Sequence, residues 1–246
     1  MNTYKPIVIV AGEPNSIFLE IYFKSIIQKK FKSPIILIAS KKLLKLQMKK
    51  LKFKKKIKLL KLNDLNNSKL NNKTINLIDV AYHQTKAFEK ISKKSNNYIK
   101  KSFKVAFEII KNGISSKLIN GPISKKHFLN KKYPGITEFI SEHFLCQKNA
   151  MLIYNKDLSV CPLTTHLPLK SVSKKISKDS IKDKILLIDK FYKTNFNFEP
   201  KIGILGLNPH CESIDKFNED EKIIKPAINQ LSKLNYKVYG PYSADT

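Results

Sequence analysis

The run KPIVIVAGEP, Lys5 to Pro14, holds the first element on which a fold can be built. Ile7 to Val10 are four β-branched residues in a row. Such a run predicts a strand buried on both faces, and Gly12, Glu13 and Pro14 end it in a turn. The same alternation continues outward. Ser16 to Lys30 predicts a helix with Ser16 as its cap, Pro34 to Ala39 (PIILIA) a second buried strand, and Ile57 to Leu62 a third. Residues 63 to 76 (NDLNNSKLNNKTIN) read as an Asn-rich loop. Gln84 to Lys111 then reads as a helix with Ala87, Phe88, Ile91, Ile99, Phe103, Ala106 and Ile110 in the core. Further strands are expected at Lys117 to Asn120, Ala150 to Asn155, Leu158 to Leu163 and Lys201 to Leu207, with a helix at Ser180 to Tyr192. Strands alternating with helices predict an α/β fold with a mainly parallel sheet.

The chain has 246 residues, enough for two domains of ordinary size, and a hydrophobic fraction of 42%, which is that of a globular protein. The formal charge of +28 invites a nucleic-acid or membrane reading. All 47 basic residues are lysine, however, and base-edge readout and bidentate phosphate clamping favour the planar fork of arginine. Abundant Lys, Asn and Ile fit a compositional drift better than a specific nucleic-acid partner. The densest basic stretch, Lys41 to Lys61, reads as a solvated helix followed by a strand. Three cysteines, Cys146, Cys161 and Cys211, include no CxxC pair and suit a reducing compartment. No stretch reaches the ~18 apolar residues of a membrane-spanning helix, and no signal peptide is visible, so a cytoplasmic protein without a membrane partner is expected.

Ligands in open α/β sheets bind beyond the carboxyl ends of the strands. The segments GEP at 12–14, NGPISK at 120–125, TTHLPL at 164–169 and GLNPH at 206–210 stand at such ends. His166 follows one expected strand and His210 another, so each imidazole would emerge at a strand's end. Two imidazoles that converge can hold a divalent ion, yet strand-end histidines are also ordinary loop residues. Spacing leaves both readings open. A Gly near a strand end lets main chain approach phosphate, so Gly121 to Lys125 is either a phosphate-binding turn or a plain strand-to-helix turn. No GxGxxG is present to support a Rossmann phosphate loop.

Taken in order, GEP, NGPISK, YPGITEF, TTHLPL, GLNPHCE and GPYSADT make the chain resemble the 4-hydroxythreonine-4-phosphate dehydrogenase family of pyridoxine 5′-phosphate biosynthesis. The resemblance implies two α/β/α domains of the isocitrate and isopropylmalate dehydrogenase type. The first would be residues 1–119 and the second residues 120–246, carrying the metal and substrate motifs. It also implies a homodimer with its active site at the interface, NAD or NADP as cofactor, and one divalent metal of the zinc, magnesium or cobalt class. The reaction expected is oxidation of 4-phosphooxy-L-threonine and decarboxylation to 3-amino-2-oxopropyl phosphate. By the same resemblance His166 and His210 are metal ligands and Thr137 contacts substrate.

This sequence departs from the family pattern at three places. Ile136 stands where the family has a substrate-contacting His, and Ile can neither hydrogen-bond nor take a proton. Phe18 replaces a small residue after GEP, implying a looser or repacked turn. The family continues past GPxxADT to a third His ligand, whereas this chain stops at Thr246, so it reads as an inactive C-terminal truncation whose fold is incomplete. Loss of the His at Ile136 would suit a relative acting on threonate or erythronate phosphate. A basic nucleic-acid-binding protein is the remaining alternative.

Overall fold

The computed structural model describes residues 4–130, 132–146, 148–214 and 217–244. The chain separates into two compact units, Met1–Tyr133 and Pro134–Thr246, so the NGPISK segment belongs to the first.

The first unit is a five-stranded parallel sheet in the order β3-β4-β2-β1-β5, built from β1 (Ile7–Val10), β2 (Ile35–Ala39), β3 (Ile57–Leu59), β4 (Ile75–Asp79) and β5 (Lys117–Asn120). All five residues of β2 are buried, as expected for a strand in the middle of a parallel sheet. Because side chains alternate along a strand, Ile9, Leu37 and Leu77 join one face's core with Leu19, Tyr22 and Phe23 of helix α1 (Phe18–Gln28) and Leu44 and Met48 of α2 (Lys41–Lys50). Helix α3 (Asn96–Lys111) packs on β1 and β2 with Ile99, Phe103, Ala106 and Phe107 buried.

The basic stretch is accordingly a solvated helix and a strand. Ser40 caps α2 by accepting the amide of Leu43, while Lys49 and Lys50 lie in the last turn, where cations oppose the helix dipole.

Several expectations are corrected here. The loop expected at 63–76 ends in β4, hidden from the pattern because INLID carries two polar residues; Asn76 is nevertheless buried, donating to the carbonyls of Ile35 and Asn71. The helix expected from Gln84 starts at Asn96. Residues 84–89 are instead pinned without regular structure: Asn15 Oδ1 accepts from Gln84 and from the amide of Glu89, and Gln47 donates to the carbonyl of Ala87. Phe88 and Ile91, expected in the core, are therefore exposed. Helix α1 begins after Ile17, which makes no side-chain cap, and Ser16 only accepts the amide of Phe18. The turn after β1 is tightly packed, with Phe18 in contact range of Gly121.

The second unit contains α4 (Ile136–His143), α5 (Lys178–Phe196), α6 (Lys225–Lys233) and a parallel pair, β6 (Ile202–Leu205) and β7 (Val238–Tyr242). Helix α5 opens on a capping box between Ser177 and Ser180. Its Ile181 and Ile185 form a core with Ile224, Ile228, Leu231 and Val238. The strands expected at 150–155 and 158–163 are reduced to one antiparallel bridge, Ile153 to Val160, since Ile153, Leu158 and Val160 face solvent and no neighbouring strand extends the ladder among the described residues.

Candidate functional site

In the first unit the chain passes from β1 to β2 on one side of the sheet, and β5 joins on the other, so the order reverses between β1 and β5. Crevices form at such reversals beyond the carboxyl ends of the strands. Here GEP and NGPISK meet. Gly12 has φ +74, and a Cβ there would lie 2.5 Å from the Pro122 carbonyl oxygen. The amide of Glu13 donates to that same oxygen at 2.8 Å. Glu13 itself is buried and accepts a 2.8 Å hydrogen bond from Ser95 Oγ, which ties the turn to the start of α3. Ser124 accepts the amide of His127, so its part is that of a turn residue.

In the second unit His166 comes close to the start of α4. Gly135 is buried and immediately precedes α4, whose first turn presents Ile136, Thr137 and Glu138. A Cβ on Gly135 would fall 2.8 Å from Glu138 Oε2 and 3.1 Å from His166 Nε2. The carboxylate and the imidazole thus converge on one backbone position beside Thr137. Glu138 Oε2 is buried with no hydrogen-bond partner in the protein. The sequence reading passed over Glu138, although it stands inside the quoted YPGITEF segment. His143 is exposed at the end of α4.

His166 does not follow a strand, contrary to expectation; it lies in an irregular loop. His210 does follow one, in a single turn (Pro209–Cys211) just beyond β6. Both have left-handed backbones, with φ 58 and φ 54, a conformation that costs a non-glycine residue energy and persists only where surroundings impose it. The segment ahead of His210 is held by Asp220, which the sequence reading also missed. Asp220 is fully buried and accepts from the amides of Leu207 (2.8 Å) and Asn208 (3.0 Å) and from the Asn208 side chain (2.9 Å). No sequence motif marks it, because it acts from 12 residues beyond Asn208.

Both histidines are exposed. Among the described residues no group of three or more His, Cys, Asp or Glu side chains could hold a metal ion. The donors in the described part of one chain therefore do not make a metal site by themselves.

The parallel α/β architecture is shared with solved structures. Those of 4-hydroxythreonine-4-phosphate dehydrogenase from Klebsiella pneumoniae (TM-score 0.82, 22% identity, 100% of this chain and 76% of that one) and from Burkholderia phymatum (TM-score 0.80, 23% identity, 99% and 76%) superpose on it. These likenesses define an α/β fold of the kind used by that enzyme. The sequence then specifies the family: the model of pyridoxal phosphate biosynthetic protein PdxA matches residues 30–246, and the chain belongs to this family of dehydrogenases. A relative called 4-hydroxythreonine-4-phosphate dehydrogenase from Sulfurihydrogenibium sp. (strain YO3AOP1) is 32% identical over 244 residues, covering 97% of this chain and 74% of that protein. The chain thus spans about three quarters of the length of the proteins it matches here.

Proposed function

We propose that the protein oxidises the secondary hydroxyl of 4-phosphooxy-L-threonine with NAD or NADP, and that the keto acid formed loses carbon dioxide to give 3-amino-2-oxopropyl phosphate. Membership of the family supports the dehydrogenase class. The observation that carries the site assignment is the convergence of Glu138 and His166 on Gly135, next to Thr137. In this reading Thr137 contacts the substrate. Oxidation sends a hydride from the carbinol carbon to the nicotinamide and a proton from the hydroxyl to a base. Glu138 Oε2, buried and unpartnered, is the acceptor we assign to that proton.

His166 and His210 belong to the proposal as donors to a divalent cation. The cation would need further donors from outside the described residues of one chain, as a homodimer with its active site at the interface could supply, and no step is assigned to it here. A cytoplasmic location completes the reading, and no helix is long and apolar enough to cross a membrane among the described residues.

The test is nicotinamide reduction by the purified protein on 4-phosphooxy-L-threonine and, separately, on threonate 4-phosphate. Turnover of the first, abolished by Glu138→Gln, is expected. Turnover of the second alone would overturn the substrate assignment and point to Ile136 as the residue that changed it.

A further inference from the structure

Helix α5 ends in an aromatic ridge. Phe191, Tyr192, Phe196 and Phe198 pack on one another with ring centroids 5.2–6.2 Å apart. Tyr154 stacks on Phe196 at 5.2 Å, and the Tyr192 hydroxyl lies 2.9 Å from Ser159 Oγ, so the hairpin 153–160 is fixed to the ridge. Ile153 and Val160, the bridge partners, lie on the other face of the hairpin from Tyr154, because successive side chains alternate. Leu158 stands at its tip.

Rings that pack in this way ordinarily belong to a closed core, and these do not. Tyr154, Phe191, Phe196 and Phe198 are 39% to 52% exposed, and Ile153, Leu158 and Val160 are 54% to 75% exposed. At roughly 200 Å² for a whole residue of this size, they leave on the order of 700 Å² of apolar surface in water around the hairpin. The largest apolar patch of a typical monomer is about 300–600 Å², and one partner gives about 800 Å² to a standard interface. A two-stranded hairpin closed by a single bridge is also marginal in water by itself.

Charge indicates what covers the face. The chain carries +28, so two copies repel each other over most of their surface. In the segments that build this face, 153–160 and 189–199, Lys156, Lys190 and Lys193 are balanced by Asp157, Asp189 and Glu199. Lys193 pairs with Asp189 at 3.1 Å and with Glu199 at 3.2 Å, and Glu199 also pairs with Lys237 at 3.2 Å. Exposed pairs of this kind add little stability. Their effect here is to remove the repulsion between copies at the place where the aromatic rings are exposed. An acidic partner would be drawn to the cationic remainder of the surface and would gain nothing from a balanced face.

We propose that this face is a self-association surface, on which a second copy of the chain seats the same face about a two-fold axis. The proposal concerns association alone and does not rest on the reaction assigned above.

Sedimentation velocity of the whole chain over a concentration series is the test. A reversible monomer–dimer equilibrium is expected, tightening as added salt screens the remaining repulsion. Tyr154→Ser/Phe196→Ser/Phe198→Ser should weaken it at least about thirtyfold, the loss of one central aromatic anchor. Ile17→Ser/Ile21→Ser/Ile27→Ser removes exposed apolar side chains from α1 and its approach and should leave it within about twofold. Both variants are checked by thermal melting. Should the aromatic variant lose its transition, Leu158→Lys at the exposed tip carries the same expectation. A chain that stays monomeric throughout, or a dimer unchanged by the aromatic and tip variants, would overturn the proposal. Equal weakening by the aromatic and α1 variants would overturn it in favour of non-specific apolar association.

Discussion

Replacing Asp220 by alanine removes the acceptor of three hydrogen bonds that hold the Leu207–Asn208 segment ahead of His210. The Asn208 side chain is half-buried and can turn to water, so it costs little. The amides of Leu207 and Asn208 cannot turn. Each is part-buried, and a buried donor left unpaired costs about 1–3 kcal/mol, less where water can enter. At roughly 1.5 kcal/mol for each, the variant loses about 3 kcal/mol. That corresponds to a fall in amide protection of about a hundredfold for residues 207 and 208, since each 1.4 kcal/mol is a factor of ten. Hydrogen exchange read residue by residue is the appropriate assay, because a chain of two units need not unfold in one step. Asp220→Asn should fall between wild type and Asp220→Ala: it keeps one acceptor oxygen but turns an NH2 group towards donors. Unchanged exchange at Leu207 and Asn208 in Asp220→Ala would refute the view that this carboxylate sets the loop.

Gly135→Ala should abolish most dehydrogenase activity with little loss of stability, because the new Cβ displaces the movable ends of Glu138 and His166 and meets no backbone; a melting temperature that falls with activity would count against a site effect. Gly121→Ala should be far more damaging to folding than to any single contact, since its Cβ would lie 2.2 Å from the Ala11 carbonyl oxygen and no side chain can yield; soluble expression with a wild-type melt would contradict this. Burial holds the Tyr22 and Tyr98 hydroxyls well above the ordinary tyrosine value of 10.0, only partly offset at Tyr98 by Ser40 and Ser102. Their contribution to stability is complete below pH 10.0 and is lost above it, so alkaline unfolding by circular dichroism should accompany their ionisation; tyrosinate formation by all ten tyrosines with the fold intact would refute it. Burial also pushes the Cys161 thiol up, only partly countered by Lys184, so exposed Cys146 should alkylate before Cys161 at neutral pH, as mass spectrometry of a timed reaction would show.

The strands β1 and β2 and the helices α2 and α5 were legible because each is a run whose composition or spacing matches one period. Strand β4 was not, because Asn76 and Asp79 break its apolar run and their reasons lie elsewhere: Asn76 serves the carbonyls of Ile35 and Asn71, and Asp79 accepts the amide of Lys41. The false start of α3 has the same cause. Residues 84–89 are helical in pattern, yet Asn15 and Gln47, far away in sequence, offer hydrogen bonds that an irregular path satisfies better.

The candidate site divides along the same line. Thr137, His166 and His210 became candidates because ordered short motifs survive in the chain, and Ile136 was seen as a departure for the same reason. By itself the sequence determined the α/β class, the family and the candidates for binding, all of which depend on residue type and local order. Only the tertiary structure decided that Glu138 and His166 share Gly135 and that Asp220 holds the turn before His210. Each of these depends on which polar groups packing brings together. That follows from the burial of polar groups between distant segments, which no local pattern records.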